Sequence, residues 1–465
     1  MAAVQSPRTS WASDAFLKSI PKTDLHVHLD GSLRLNTLIE LAKKEGVALP
    51  AYTEAELRQT VFRDNYKDLP EYLQGFQYTV AVMRTAENLE RIAFEFAEDN
   101  FLEGVHYFEV RFAPQLVAAL RADGDKHLNI TQVIKAVNVG LLRAKNMYNA
   151  LAFPGEEASS AESTAGMATP SDWKKFAETK PPPFDYGIIV CAMRSFPPCE
   201  YYDAFLELHE SMGYERCCAL ASETLINTAI KCRDQLNIPI VALDVAGAEE
   251  GFENKVHATA FNIAHENFFN KTVHAGEGFG PESIFQAIRD LHAERIGHGY
   301  HLFSAEKVTS QADPADYVRR LVKHVSDRRI NLEVCLTSNL GTMPGLRLED
   351  HAFRHMLSNG VSVTLNTDNR LVSFTTVCDE IAKAVDTFNI TPKQLRELVI
   401  TGFKRSFFSG SYNAKRKYIR AAMDAYDRLA AAHDIEKNYA LHCETSTKIR
   451  AVSMIDATEL DGNRK

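Results

Sequence analysis

Four short stretches of this chain gather side chains able to hold a cation or move a proton, and each closes an apolar, strand-like run. The first is Asp24-Leu25-His26-Val27-His28-Leu29-Asp30-Gly31. Alternate side chains of a strand share a face, so His26 and His28 point one way while Leu25, Val27 and Leu29 point the other. Two imidazoles so placed at a strand end can grip one cation together, whereas a lone histidine is more often a satisfied core residue. Val273-His274-Ala275-Gly276-Glu277 offers a third imidazole, then a carboxylate that Gly276 frees from strand alternation. His298 stands between Gly297 and Gly299, a setting that suits close approach of backbone and ligand. Asn366-Thr367-Asp368-Asn369 adds a hard oxygen donor. Three imidazoles and one carboxylate suit zinc by ligand type, and iron or cobalt could occupy a similar site. Taken singly, Asp368 reads as a helix cap, Glu277 as a helix-dipole partner and His298 as a surface histidine. Those ordinary readings leave their shared position at strand ends unexplained.

Such residues need a scaffold that delivers all four ends to one place. Strand-like runs fall at Lys22–Leu29, Val105–Ala113, Tyr186–Met193, Ile238–Val245, Lys271–His274, Arg295–His298, Ile330–Leu336 and Val361–Thr367. Helical periods lie between them, at Ala86–Leu102, Ile130–Asn146, Tyr214–Gln235, Pro281–His292, Pro314–Asp327 and Asp350–Leu357. Eight βα units in series predict a (β/α)8 TIM barrel, with an open doubly wound sheet as the structural alternative. Barrel enzymes place their chemistry at the C-terminal ends of the strands. Leu33–Thr85 reads as an insertion of two helices that covers that face. Residues 154–183, rich in Ser, Ala, Glu and Pro, read as a flexible surface excursion. Asp379–Phe388, Pro392–Phe408 and Tyr412–His433 read as C-terminal helices. The expected division is an N-terminal extension to residue 20, one barrel domain over 21–435, and an uninformative tail over 436–465.

Composition sets outer limits. A chain of 465 residues that is 45% hydrophobic can bury a large core. Its net charge of −9 supplies no basic excess, so no nucleic-acid partner is expected. Eight cysteines form no C-x-x-C pair, which reads as free thiols in a reducing compartment. The first residues lack a signal-peptide apolar core and no run reaches membrane-spanning length, so a cytoplasmic protein without a membrane partner is expected. Nothing in the sequence speaks to oligomeric state.

HVHLDGS at His26–Ser32, HAGE at His274–Glu277, GHG at Gly297–Gly299 and NTD at Asn366–Asp368 resemble, in order, four signatures of the adenosine deaminase family of the metal-dependent amidohydrolase superfamily. FEVRFAP at Phe108–Pro114 is supporting similarity. The resemblance implies one zinc ion per chain, bound by His26, His28, His274 and Asp368. It implies Glu277 as proton donor to purine N1, and His298 as the group that orients the attacking water or takes its proton. His28 and Asp30 would approach the ribose hydroxyls, and Gly247 would lie against purine N3. Leu69, Tyr72, Leu73 and Phe76 resemble residues lining the pocket mouth, although such residues are more often plain core. The implied reaction takes adenosine and water to inosine and ammonia, and 2′-deoxyadenosine to the corresponding deoxyinosine, in purine salvage and catabolism.

The chemistry agrees with that expectation. Hydrolytic loss of an aromatic amine needs hydroxide near neutrality, and zinc lowers the pKa of bound water to about 7. Attack at C6 pushes charge onto N1, where a carboxylic acid of raised pKa can deliver a proton. Glu277 should then be protonated in a dry pocket. One departure stands out: Asn369 occupies a position where many members carry Asp near purine N7. An amide can donate to the N7 lone pair, so recognition of a neutral purine survives the change. Adenine-preferring relatives tend to carry Glu where Asp30 stands, and Asp30 would repel a 5′-phosphate. The alternatives are deamination of adenine or a 5′-modified adenosine, a non-deaminating metal hydrolase on the same barrel, and an inactive binding protein. Cytidine-type deaminases are set aside, because His292-Ala293-Glu294 has no P-C-x-x-C to follow it.

Overall fold

The computed structural model describes residues 11–120, 127–152 and 180–444, so most of the 154–183 excursion and the end of the tail lie outside the described residues. Eight parallel strands form one sheet in sequential order: β1 (Lys22–His28), β2 (Val105–Phe112), β3 (Asp185–Met193), β4 (Ile240–Ala246), β5 (Asn270–Ala275), β6 (Arg295–His298), β7 (Asn331–Val334) and β8 (Ser362–Leu365). β8 returns to β1 through a bridge between Val27 and Asp368, where Asp368 N donates to His26 O at 2.8 Å and His28 N to Asp368 O at 2.7 Å. This is the (β/α)8 barrel, and the open-sheet alternative falls.

The strands are parallel because helices return the chain between them, and alternation then sorts their side chains into two layers. Leu25, Val27, Phe108, Val110, Leu243, Val245, Val273, Ile296, Leu332 and Val334 are all fully buried in the apolar core. The alternate residues, Asp24, His26, Glu109, Arg111, Asp244, Thr272, His274, Arg295, Asn331 and Glu333, are equally enclosed but polar. An interior this polar needs internal partners for nearly every group.

One expectation needs correcting. Leu33–Thr85 carries four helices, not two: Leu35–Glu45, Glu54–Thr60, Leu69–Leu73 and Phe76–Val82. The last pair is too short to show helical period, and Gly75 separates them. The described parts of the N-terminal extension and of the tail contribute helices of their own. Asp14–Ser19 is a helix capped by Ser13, residues 435–444 are helical, and Trp11 packs edge-on against Tyr439 at 5.6 Å. Among the described residues no helix is long and apolar enough to cross a membrane.

Candidate active site

The C-terminal ends of β1, β5, β6 and β8 meet in one buried cluster. One ligand atom from each of His26, His274, His298 and Asp368 lies within 4.8 Å of all the others. His28 joins from the pocket side, its Nε2 3.2 Å from His274 Nε2 and 3.5 Å from Asp368 Oδ1. His26 Nε2 is 3.4 Å from the same oxygen.

Close approach here depends on Gly297, which sits beside His274 in the β5–β6 register. A methyl group on it would stand 2.9 Å from His26 Cε1 and 3.1 Å from His274 Cα. Simple alternation would send the next residue, His298, toward the helices. Its backbone instead adopts φ +59°, as Asp368 adopts +60°. Each conformation costs about 1–3 kcal/mol for a non-glycine residue and persists only where surroundings enforce it. Gly276, at φ +70°, makes the corresponding turn out of β5 and releases Glu277 toward the site.

The inward polar layer orients the imidazoles. His26 Nδ1 donates to Glu333 Oε2 at 2.8 Å, and His274 Nδ1 lies 2.9 Å from Asp244 Oδ2. Arg111 bridges the two carboxylates, reaching Asp244 Oδ2 at 2.9 Å and Glu333 Oε2 at 2.8 Å. Arg295 Nε donates to Glu333 Oε1 at 2.6 Å and its Nη2 to Glu109 Oε2 at 2.5 Å. With Nδ1 carrying the hydrogen, neutral His26 and His274 each present an Nε2 lone pair to the cluster. The buried Nε2 of His26 has no hydrogen-bond partner. Opposed lone pairs, an unpartnered imidazole nitrogen and the Asp368 carboxylate, itself anchored by Ser338 Oγ at 2.6 Å, form a donor set that a zinc ion fits. None of Arg111, Asp244, Glu333 and Ser338 was singled out from sequence. The signal available for the first three was a charge inside an otherwise apolar strand.

A cavity of about 240 Å³ opens over this cluster. Its walls include His28, Asp30, Gly247, His274, Glu277, His298, Asp368 and Asn369, with Leu69, Tyr72, Leu73 and Phe76 on the mouth side. Every residue predicted for the substrate therefore lines one space, and Leu116, Met193, Phe196 and Pro197 extend its apolar wall. Glu277 Oε2 lies 3.7 Å from His298 Nε2. Burial pushes the Glu277 carboxyl above its ordinary range; His298 opposes that shift and Asp368 adds to it. His298 is 1% exposed, so its surface reading fails, and Asn339 Nδ2 lies 3.3 Å from its Nδ1. Tyr72 does more than fill space: Asn369 Nδ2 donates to its hydroxyl at 2.7 Å, and that hydroxyl meets Ser373 Oγ at 2.8 Å. Only one of the two Nδ2 hydrogens is used, so a donor remains for a ligand.

The sequence profile of the adenosine deaminase family matches residues 21–151 and 213–426. The chain belongs to the adenosine deaminase family. Membership makes it an aminohydrolase acting on a purine amidine, and the reading as a non-deaminating hydrolase drops away. It is 30% identical over 393 residues to an adenosine deaminase of Clostridium botulinum, covering 84% of this chain and 94% of that protein. It is 29% identical to a probable adenosine deaminase of Dictyostelium discoideum, covering 88% of this chain but only 44% of that longer protein. Similar folds include the N6-mAMP deaminase of arabidopsis (TM-score 0.63, 22% identity, 88% and 99% of the two chains). A Burkhoderia ambifaria amidohydrolase solved with bound Zn is also similar (TM-score 0.66, 18% identity, 93% and 97% covered).

Proposed function

We propose that this chain is a zinc-dependent deaminase of adenosine and 2′-deoxyadenosine, releasing inosine, or its deoxy counterpart, and ammonia. The observation that carries the reading is the convergence of His26, His28, His274 and Asp368 beside a buried Glu277, whose carboxyl is pushed above its ordinary range, at the floor of an apolar pocket. A zinc ion held by those four residues supplies Lewis acidity that brings the pKa of water to about 7.

The chain's own groups account for the rest. His298 orients the attacking water toward C6 or takes its proton, and Glu277, whose proton burial makes harder to lose, donates to N1 as charge develops there. Asn369 turns its free amide hydrogen to N7, Gly247 backs N3, and His28 and Asp30 meet the ribose hydroxyls. Asp30 Oδ1 is buried without a hydrogen-bond partner, which suits an acceptor waiting for a hydroxyl.

Two relatives' chemistries, on adenosine and on N6-mAMP, compete for this pocket, and its wall favours the nucleoside. No Lys or Arg stands among the described residues lining it, so a 5′-phosphate would enter without a countercharge. Burial lifts the Asp30 carboxyl to about 7, so its charge is only partial near neutrality. The missing cation excludes nucleotides more firmly than repulsion by Asp30 does. Leu69, Leu73, Phe76 and Phe196 at the mouth favour one further substrate class, adenosines with an apolar 5′ substituent.

The test is an ultraviolet assay of the zinc-loaded protein against adenosine, deoxyadenosine, adenine, AMP and 5′-alkylthio adenosine, with a chelator control. Turnover of adenosine that a chelator abolishes and zinc restores is expected. Preference for AMP or adenine over adenosine would overturn the proposal.

A further inference from the structure

Glu249 lies outside the pocket, yet it grips the loop that carries Glu277. It follows β4 in the turn after Gly247 and Ala248, and is 5% exposed. Its carboxylate accepts from four consecutive backbone N–H groups: Gly276 to Oε1 at 2.8 Å, and Glu277, Gly278 and Phe279 to Oε2 at 2.9, 2.9 and 3.1 Å. The Ser283 hydroxyl, in the first turn of the helix Pro281–Asp290, donates to Oε1 as well. Burial alone would push this carboxyl up, but Arg194, Ser283 and the backbone donors hold it below its ordinary range.

A run of convergent N–H groups at a helix start is an anion nest, and here the protein fills it from behind. The outcome is geometric. Gly276 imposes a left-handed turn whose carbonyls meet His301 N at Gly276 and Lys307 Nζ at Gly278, and Glu249 is the one side chain among those described that ties all four residues of that turn together. With the backbone on both sides of Glu277 held, the direction of its Cα–Cβ bond is held too, and the carboxyl swings from that fixed root. A buried charge is a costly way to hold a loop that apolar packing could hold, unless accuracy of direction is what matters.

We propose that Glu249 is a positioning residue of the deaminase site, which sets the aim of the Glu277 carboxyl at purine N1. The proposal rests on the reading of Glu277 as proton donor. A 1 Å misplacement of a reacting group can cost about 10²-fold in rate. Glu249→Gln keeps the volume but turns one acceptor into a donor facing N–H groups, so kcat should fall about 100-fold. KM for adenosine, zinc content and the affinity for inosine, which needs no proton delivery, should stay within about threefold. Glu249→Asp restores the charge at shorter reach and should recover part of kcat.

The experiment measures kcat, KM, zinc per chain and inosine binding for both variants beside Glu277→Gln. Loss of turnover in Glu277→Gln with full turnover in Glu249→Gln overturns this proposal alone. Full turnover in Glu277→Gln overturns the reading it rests on. Loss of zinc or of inosine binding in step with kcat would make Glu249 a plain structural residue and overturns the proposal too. Should neither Glu249 variant fold, Ser283→Ala decides: a several-fold drop in kcat at unchanged KM supports the role, and an unchanged kcat ends it.

Discussion

Replacing Glu333 with Gln should weaken both zinc binding and the barrel. Glu333 accepts from four groups: His26 Nδ1 at 2.8 Å, Arg111 Nη2 at 2.8 Å, Arg295 Nε at 2.6 Å and Thr272 Oγ1 at 2.9 Å. Gln retains the shape but presents an NH2 to groups that are all donors, and it removes a charge between two buried guanidinium groups. Breaking one side of a buried ion pair typically costs about 3–5 kcal/mol. Arg111 keeps Asp244 and Arg295 keeps Glu109, so about 3 kcal/mol is expected. The lost partner of His26 leaves its ring orientation and tautomer unspecified, for which a loss of about 10- to 100-fold in zinc affinity is usual. Urea unfolding of the metal-free protein reads the first quantity, and competition with a chromophoric chelator reads the second. A variant with zinc affinity within about twofold of the parent would refute the claim that Glu333 orients His26. If stability fell while affinity held, the network would be holding the barrel and not the ligand.

Further expectations follow from other contacts. Glu277→Gln should lose about 10²–10⁴-fold in kcat with zinc retained, measured by turnover and metal content; near-full turnover would remove Glu277 from the mechanism. Tyr72→Phe breaks the 2.7 Å hydrogen bond from Asn369, worth about 1 kcal/mol, so KM should rise about fivefold with little change in kcat. An unchanged KM would show that Asn369 needs no such tether. Burial, aided by the charge of Lys22 for His106 and of Arg194 for His257, holds each of these histidines down to about 3 against an ordinary 6.5. With folded values below unfolded ones, their stabilisation is complete above about pH 6.5 and drains away as pH falls toward 3, at up to about 1.4 kcal/mol per pH unit each. Urea midpoints at pH 7 and pH 5 should therefore diverge less in His257→Gln than in the parent, and equal divergence counts against it.

The barrel was legible because its strands are fully covered, so eight apolar runs survive as contiguous text, with ends placed within a few residues. The cluster was legible because strand ends concentrate it: His26, His28, His274, His298 and Asp368 each belong to a short local pattern. Partnerships were not. Arg111 is 133 residues from Asp244 and 222 from Glu333, and only closure of the sheet reveals that they are neighbours. The backbone reversals at His298 and Asp368 were equally hidden, since neither is a residue type that announces positive φ as glycine does. Tyr72 read as an apolar wall because nothing local to LPEYLQGF shows where its hydroxyl goes. Leu69–Leu73 and Phe76–Val82 escaped for want of length: five and seven residues give too few turns for a periodic stripe.

The seam between the last strand and the first has a consequence of its own. Two backbone-to-backbone hydrogen bonds, donated by the amides of His28 and Asp368, cross it beside the cluster, whereas β7 and β8 are joined over four residue pairs. Any breathing that parts this joint must also pull the β1 imidazoles away from the Asp368 carboxylate. An ion gripping both sides would therefore act as a rivet, and slower deuterium uptake at those two amides would accompany metal loading. A thinly laced edge of the cylinder would then be held shut by the chemistry at its mouth.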